Sequence, residues 1–272
     1  MPDAYAVIGN PIEQSKSPLI HSAFAAAAGQ DIVYSKVLAP TEPGGFARTV
    51  DALRAQGLRG VNITAPFKLD AFAYATDLSE RARQAGAVNA MKFEGGKVFA
   101  DNFDGVGLVR DIVHNLQRPL VGRRVLLLGA GGAVRGALPV LLNEAPQALV
   151  IANTHLDKAQ ALAAQYAAQY AALGNVRASS YEALAQEPPF DVVLNATSAS
   201  LSGHLPPTPA AVYAAHTLAY DLSYGKGLTP FLRHAQGAGA QQLADGVGML
   251  AEQAAEAFYW WRGVRPDTQA LI

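Results

Sequence analysis

Val125-Leu126-Leu127-Leu128-Gly129-Ala130-Gly131-Gly132-Ala133 is an apolar strand running straight into a glycine turn. The residues behind it read as a helix to about residue 142 and a second apolar strand over 148–152. Strand, glycine turn, helix and strand in that order make one βαβ unit of a parallel sheet. The residue types have a steric cause. Glycines permit the tight turn and let backbone N–H groups and the helix N-terminus approach a pyrophosphate. Val134 stands where the third glycine of a G-x-G-x-x-G pattern would be, so the loop departs from the commonest dinucleotide fingerprint, and a purely structural turn is the competing reading.

Downstream, the tip of the second strand carries the nucleotide choice, Asn153-Thr154-His155-Leu156-Asp157-Lys158. A carboxylate there would bond a free ribose 2'-OH, whereas basic and hydroxyl groups suit a 2'-phosphate. Asn153 and Thr154 are not acidic and Lys158 falls on the first turn of the next helix, so NADP is the expected cofactor, with NAD as a secondary one. The competing reading makes Lys158 an ordinary solvated charge. A helix is expected over 159–173, a strand over 191–194 ending in Asn195-Ala196-Thr197-Ser198, and another over 218–222 ending at Leu222 before Ser223-Tyr224. Polar clusters at the carboxyl ends of parallel strands are where ligands bind in open α/β sheets, although turn chemistry alone produces them too. A last helix is expected over 247–261, with Met249 and Gln253 four apart on one face.

Upstream, strands are expected over 5–9, 33–38 and 60–64, helices over 18–28, 44–56, 71–75 and 80–85, and a hairpin over 88–93 and 97–100 joined by Gly95-Gly96. A helix over 106–116 leads out of it. Lys68, in Asn62-Ile63-Thr64-Ala65-Pro66-Phe67-Lys68, and Asp104, in Asp101-Asn102-Phe103-Asp104-Gly105, precede the glycine loop. A cationic amine and a carboxylate beside a nucleotide site point to redox chemistry: a ketone receiving hydride needs a proton for its developing alkoxide, which an ammonium held by a carboxylate can stabilise and supply.

Composition narrows the classes. With 272 residues, 50% hydrophobic and 16% charged, the chain builds one or two cores, and two lobes fit this size better than one. Lys and Arg number 21 against 22 Asp and Glu, which leaves no electrostatic footprint for nucleic acid or an anionic membrane. Partners are expected to be a small-molecule substrate or a second copy in a homodimer. Cysteine is absent, which removes thiolate nucleophiles, disulfides and zinc–cysteine sites. No apolar run approaches the roughly 20 residues that cross a bilayer, and the start shows no signal peptide, so a cytoplasmic protein is expected. The six histidines are scattered without ligand spacing, and no metal is expected.

Across nearly its whole length the chain resembles the shikimate dehydrogenase family. The resemblance rests on Gly9-Asn10-Pro11, Ser15-Lys16-Ser17-Pro18, residues 62–68, Gly86-Ala87-Val88-Asn89, Asp104-Gly105-Val106-Gly107, residues 129–133, Asn195-Ala196-Thr197-Ser198, Tyr224, Thr229-Pro230-Phe231-Leu232 and residues 245–253. It implies an α/β protein of two lobes: an N-terminal substrate-binding domain over 1–104 completed by 241–272, and a Rossmann-type NADP-binding domain over 105–240, with the C-terminal helix returning to the first. The implied activity is the reversible reduction of 3-dehydroshikimate to shikimate with NADPH, in aromatic amino acid biosynthesis. Ser15 and Ser17 would hold the substrate carboxylate, and Thr64, Lys68, Asn89, Asp104 and Gln253 would surround the ring hydroxyls and the reacting carbon. Tyr224 would close the pocket, and Lys68 with Asp104 would be the catalytic pair. The nucleotide would lie against Gly129, Ala130, Gly131, Gly132, Ala133, Asn153, Thr154, Lys158, Thr197, Ser198, Leu222, Gly246 and Met249. Four positions depart from the family pattern. Phe103 and Ala90 stand where threonines are usual and Ser200 where a glycine is usual, departures expected to bear on pocket shape or substrate preference. Thr154 stands where NADP-specific members carry an arginine, which leaves open a quinate/shikimate or aminoshikimate dehydrogenase using NAD or both nucleotides. A catalytically silent nucleotide-binding regulator of the same fold is the more distant alternative.

Overall fold

The computed structural model describes residues 2–167, 175–197, 199, 204–225 and 227–272. The chain divides into two compact units, Met1–Leu108 with Leu250–Ile272, and Val109–Met249.

The first unit comprises β1 (Asp3–Gly9), α1 (Ser17–Ala27), β2 (Ile32–Leu38), α2 (Gly45–Ala55), β3 (Gly60–Ile63), α3 (Lys68–Tyr74), β4 (Asp77–Leu78), α4 (Glu80–Ala85), β5 (Ala90–Glu94) and β6 (Lys97–Asp101). Its strands form one sheet in the order β2-β1-β3-β5-β6-β4. β1 runs parallel to both β2 and β3, whereas β5 is antiparallel to β3 and β6. The two-residue period of β1 sorts its side chains to opposite faces. Ala6 and Ile8 join Phe46, Val50 and Val61 on one, while Tyr5 and Val7 join Ile12 and Tyr34 on the other. Both faces are covered, so the strand reads as a continuous apolar run rather than an alternating one. α2 contributes Phe46, Val50 and Leu53, spaced for one helical face. On the opposite layer Ile20 and Phe24 of α1 pack with Ala254, Ala255 and Phe258 of the C-terminal helix.

Then follow α5 (Asp104–Arg110), β7 (Arg124–Leu128), α6 (Gly132–Asn143), β8 (Ala148–Ala152), α7 (Leu156–Ala167), β9 (Asn175–Ser179), β10 (Val192–Asn195), β11 (Leu218–Asp221), α8 (Pro230–Gly237), β12 (Gln242–Ala244) and α9 (Val247–Arg262). The sheet of the second unit is wholly parallel, in the order β12-β11-β10-β7-β8-β9. β7 is central, with its sequence neighbour β8 on one side and β10 on the other, which makes the gap beyond the carboxyl ends of β7 and β10 a topological switch point.

Several expectations shift. The helix expected over 106–116 begins earlier, at Asp104, and after Arg110 widens into a π-helical turn, Asp111–Asn115. The helix expected over 159–173 begins at Leu156; its expected residues past 167 lie outside the described ones. β4, β9, β12 and α8 were not read from sequence. The first three are short edge or near-edge strands of mixed polarity, and α8 is announced only by the Thr229 cap, whose hydroxyl accepts the Leu232 N–H at 3.2 Å, followed by Pro230. Because β12 pairs with β11, residues 242–244 join the second sheet, and the second unit runs to Met249 instead of ending at 240. Among the described residues no helix is long and apolar enough to cross a membrane.

Candidate active site

Lys68 opens α3 and Asp104 opens α5, so both side chains leave the backbone where a strand gives way to a helix. Lys68 Nζ donates to Asp104 Oδ2 at 2.5 Å. The other carboxylate oxygen accepts from Asn89 Nδ2 at 2.8 Å, and the same amide nitrogen reaches Gln253 Oε1 at 3.3 Å. Asn89 Oδ1 accepts the Phe103 N–H at 2.9 Å, and the Asp104 N–H donates to Asn102 Oδ1 at 3.1 Å. Asp104 is only 8% exposed, so its charge is kept in the fold by an ammonium and a carboxamide rather than by water. The Lys68 side chain is 29% exposed, which leaves its ammonium open to a ligand.

The strand before Asp104 is tied down by a second carboxylate. Asp101 accepts from Ser79 Oγ at 2.6 Å, from Arg81 Nε and Nη2 at 3.2 and 2.7 Å, and from the Asn102 N–H at 2.7 Å. The Arg81 guanidinium lies over the Phe103 ring, 5.3 Å from its centre. Phe103 itself is buried in one apolar cluster with Ala90 and Ala257, its ring edge-on to Trp260. The two departures at 90 and 103 thus fall in one buried cluster beside the site. A large residue and a small one meet in the core, and position 103 reaches Asn89 through its backbone alone. Ser200 lies outside the described residues.

Ser15 Oγ and Ser17 Oγ are 3.3 Å apart at the entry to α1, and the Ser17 N–H reaches Ser15 Oγ at 3.4 Å. Thr64 follows β3, its N–H bonded to the Ile8 carbonyl at 2.9 Å. A Cβ on Gly9 would lie 2.5 Å from Thr64 Cγ2, so the end of β1 admits Thr64 only because residue 9 is glycine. Two residues that sequence reading did not assign lead into the Lys68 network. The Tyr34 hydroxyl donates to Asn62 Oδ1 at 2.6 Å, and Asn62 Nδ2 donates to the Asn89 carbonyl at 3.3 Å. Asn62 opens the run that ends in Lys68; Tyr34 sits in a strand whose pattern carries no signal for it.

In the second unit a cleft of about 520 Å³ opens at the carboxyl ends of β7, β8 and β10. Gly129, Ala130, Gly131, Asn153, Thr154 and Thr197 line it, together with Tyr181, Ala196, Ala199, His204, Leu205, Pro206 and Pro207, to which the sequence reading gave no role. The two prolines mark a loop after β10 that sequence reading left without a role. Gly129 has φ +113°, and a Cβ there would stand 3.2 Å from the Ala196 carbonyl oxygen, whereas a Cβ on Gly131 or Gly132 would meet open space. That open approach to the first turn of α6 suits a pyrophosphate. Thr197 is held by Asn195, whose Oδ1 accepts both its N–H at 3.1 Å and its hydroxyl at 2.7 Å. Gly132 and Ala133 begin α6 and Lys158 is exposed on α7, all outside the cleft lining. Ser198 lies outside the described residues. Leu222, Tyr224, Gly246 and Met249 form a separate group beyond β11. A Cβ on Gly246 would stand 2.2 Å from the Leu222 carbonyl oxygen and 3.4 Å from Tyr224 Cδ1, and the Met249 N–H donates to the Tyr220 hydroxyl at 3.2 Å.

Comparison with known proteins shows the family. The model of the shikimate dehydrogenase substrate binding domain matches residues 7–91, that of shikimate/quinate 5-dehydrogenase residues 111–202, and that of the shikimate 5'-dehydrogenase C-terminal domain residues 246–272. A shikimate dehydrogenase (NADP(+)) of Chromobacterium violaceum is 56% identical over 271 residues, covering 100% of this chain and 97% of that protein. The chain belongs to the shikimate dehydrogenase family. Among solved structures, an Ael1 enzyme from Pseudomonas putida is 56% identical with a TM-score of 0.91, covering 98% of this chain and 96% of its own. The shikimate 5-dehydrogenase of Thermus thermophilus, solved with NADP(H) and shikimate, is 30% identical with a TM-score of 0.85, covering 99% of this chain and 97% of its own. As in a shikimate dehydrogenase, the fold pairs an N-terminal substrate-binding domain with a Rossmann-type nucleotide domain.

Proposed function

We infer that the chain catalyses the reversible, NADP-dependent reduction of 3-dehydroshikimate to shikimate. The observation that carries the reading is the Lys68–Asp104 pair, with Asn89 and Gln253 bonded into it, in a chain 56% identical over its length to a shikimate dehydrogenase (NADP(+)).

The substrate is a small polyol acid, and the first unit offers it hydroxyls, amides and one ammonium. Ser15 and Ser17 donate to the carboxylate; Thr64, Asn89 and Gln253 bond the ring hydroxyls. Bound NADPH supplies the hydride. As the carbonyl carbon accepts it, the oxygen gains negative charge, and the Lys68–Asp104 pair stabilises that charge and delivers the proton. The pair then recovers a proton from solvent, and the reverse direction runs the same transfers backwards. Gly129, Ala130, Gly131 and the first turn of α6 would hold the pyrophosphate; Asn153 and Thr154, with Lys158 on the next helix, would serve the 2'-phosphate; Thr197, Leu222, Gly246 and Met249 would serve the rest of the nucleotide, and Tyr224 would close over the substrate.

One observation favours broader nucleotide use: Thr154 lines the cleft with a short hydroxyl and Lys158 does not line it. Neither makes the bidentate phosphate contact of an arginine. The deciding experiment follows nicotinamide absorbance with shikimate or quinate and NADP or NAD. Turnover of shikimate with NADP is expected, with weaker NAD activity; no turnover with any pair would refute the reading.

A further inference from the structure

We propose that Tyr34 is a positioning residue for the substrate site, acting through Asn62 on Asn89. The inference rests on the activity inferred above, and goes beyond it by adding a residue that never has to touch substrate.

Tyr34 lies on β2, and its hydroxyl donates to Asn62 Oδ1 at 2.6 Å. A phenol that keeps its proton dictates which end of a carboxamide faces it. Burial pushes the Tyr34 phenol well above its ordinary range, so the group remains a donor. With Oδ1 turned to Tyr34, Asn62 Nδ2 points the other way and donates to the Asn89 carbonyl at 3.3 Å. Asn89 in turn holds Asp104 and Gln253. One hydroxyl thus fixes the carboxamide that holds the backbone of Asn89, the residue that supports the Lys68 network.

The ring is as firmly placed as the hydroxyl. His21 stacks on it with centroids 4.4 Å apart and planes 7° from parallel, and Trp261 lies 6.5 Å away. His21 is wholly buried and Asn62 is its polar neighbour, so no charge enters this layer. The ring is packed between aromatic neighbours and its hydroxyl is bonded to Asn62, which suits holding that carboxamide in one orientation.

Tyr34→Phe keeps the stack and removes only the hydroxyl. Steady-state rates with shikimate and NADP are expected to show the shikimate KM raised about tenfold, the loss of one buried hydrogen bond, with kcat and the NADP KM within about twofold of wild type. Asn62→Ala reads the same link from its other end and is expected to raise the shikimate KM selectively as well; it decides the matter if the phenylalanine protein does not fold. An unchanged shikimate KM in both variants overturns the proposal, as does a fall in melting temperature with both KM values moving together. Wild-type protein inactive on shikimate would instead remove the reading on which the inference rests.

Discussion

His21→Leu is expected to flatten the acid limb of the stability profile. The imidazole is fully buried and stacked on Tyr34, and burial pulls its pKa from 6.5 to about 3. The unfolded chain therefore takes up a proton that the folded chain refuses. Above the unfolded pKa there is no protonation penalty, and as pH falls from 6.5 towards 3 the folded state loses ground continuously. Each unit is worth about 1.4 kcal/mol, so at about pH 5 the penalty is about 2 kcal/mol, or about 4–8 °C in Tm for a protein of this size. The assay is denaturant and thermal unfolding of wild type and His21→Leu near neutrality and near pH 5. Carboxylates and the other histidines are common to both proteins and cancel in the difference. Leucine costs stability at both pH values through lost stacking, but its loss on acidification is expected to be smaller than that of wild type by about 2 kcal/mol. Equal acid losses in the two proteins would refute the argument, because the buried ring would then be binding its proton in the folded state.

Lys68→Ala is expected to lower kcat by about two to four orders of magnitude, the usual weight of a positioned proton donor, with the NADP KM nearly unchanged; an unimpaired kcat would remove Lys68 from the chemistry. Thr154→Arg is expected to shift the NADP-to-NAD ratio of kcat/KM upward by about tenfold or more, since hydrogen bonds to a charged group are worth about 1.5–3 kcal/mol, and no shift would mean the 2'-phosphate is read elsewhere. Gly246→Ala would drive a methyl to 2.2 Å from the Leu222 carbonyl oxygen, which must move; a stability loss of about 1–3 kcal/mol is expected, and a melting temperature equal to wild type would show that this turn is looser than its geometry.

The parallel sheet of the second unit was legible because its signal is local. A strand buried on both faces is an unbroken apolar run, and the turn after it needs glycine for a backbone reason that no partner can alter, so β7, α6 and β8 announce themselves. β9 and β12 do not, since a short strand at or near a sheet edge is made by the neighbour it pairs with. The seam between the units was misplaced for the same cause: Gln242–Ala244 has no strand character of its own and is a strand because β11 lies beside it.

The candidate site divides along the same line. Residue types and motif order, fixed by the sequence alone, name Lys68, Asp104, Asn89, Gln253 and the serine pair, because an ammonium, a carboxylate and amides are what the chemistry requires. Their meeting was decided by tertiary structure. Asn89 and Gln253 are 164 positions apart, and only the return of α9 to the first unit brings their amides to 3.3 Å. The same holds for Phe103 and Ala90, a large and a small residue that meet in one core cluster. Which way a side chain faces is set by the surface that covers it, and that surface comes from distant parts of the chain.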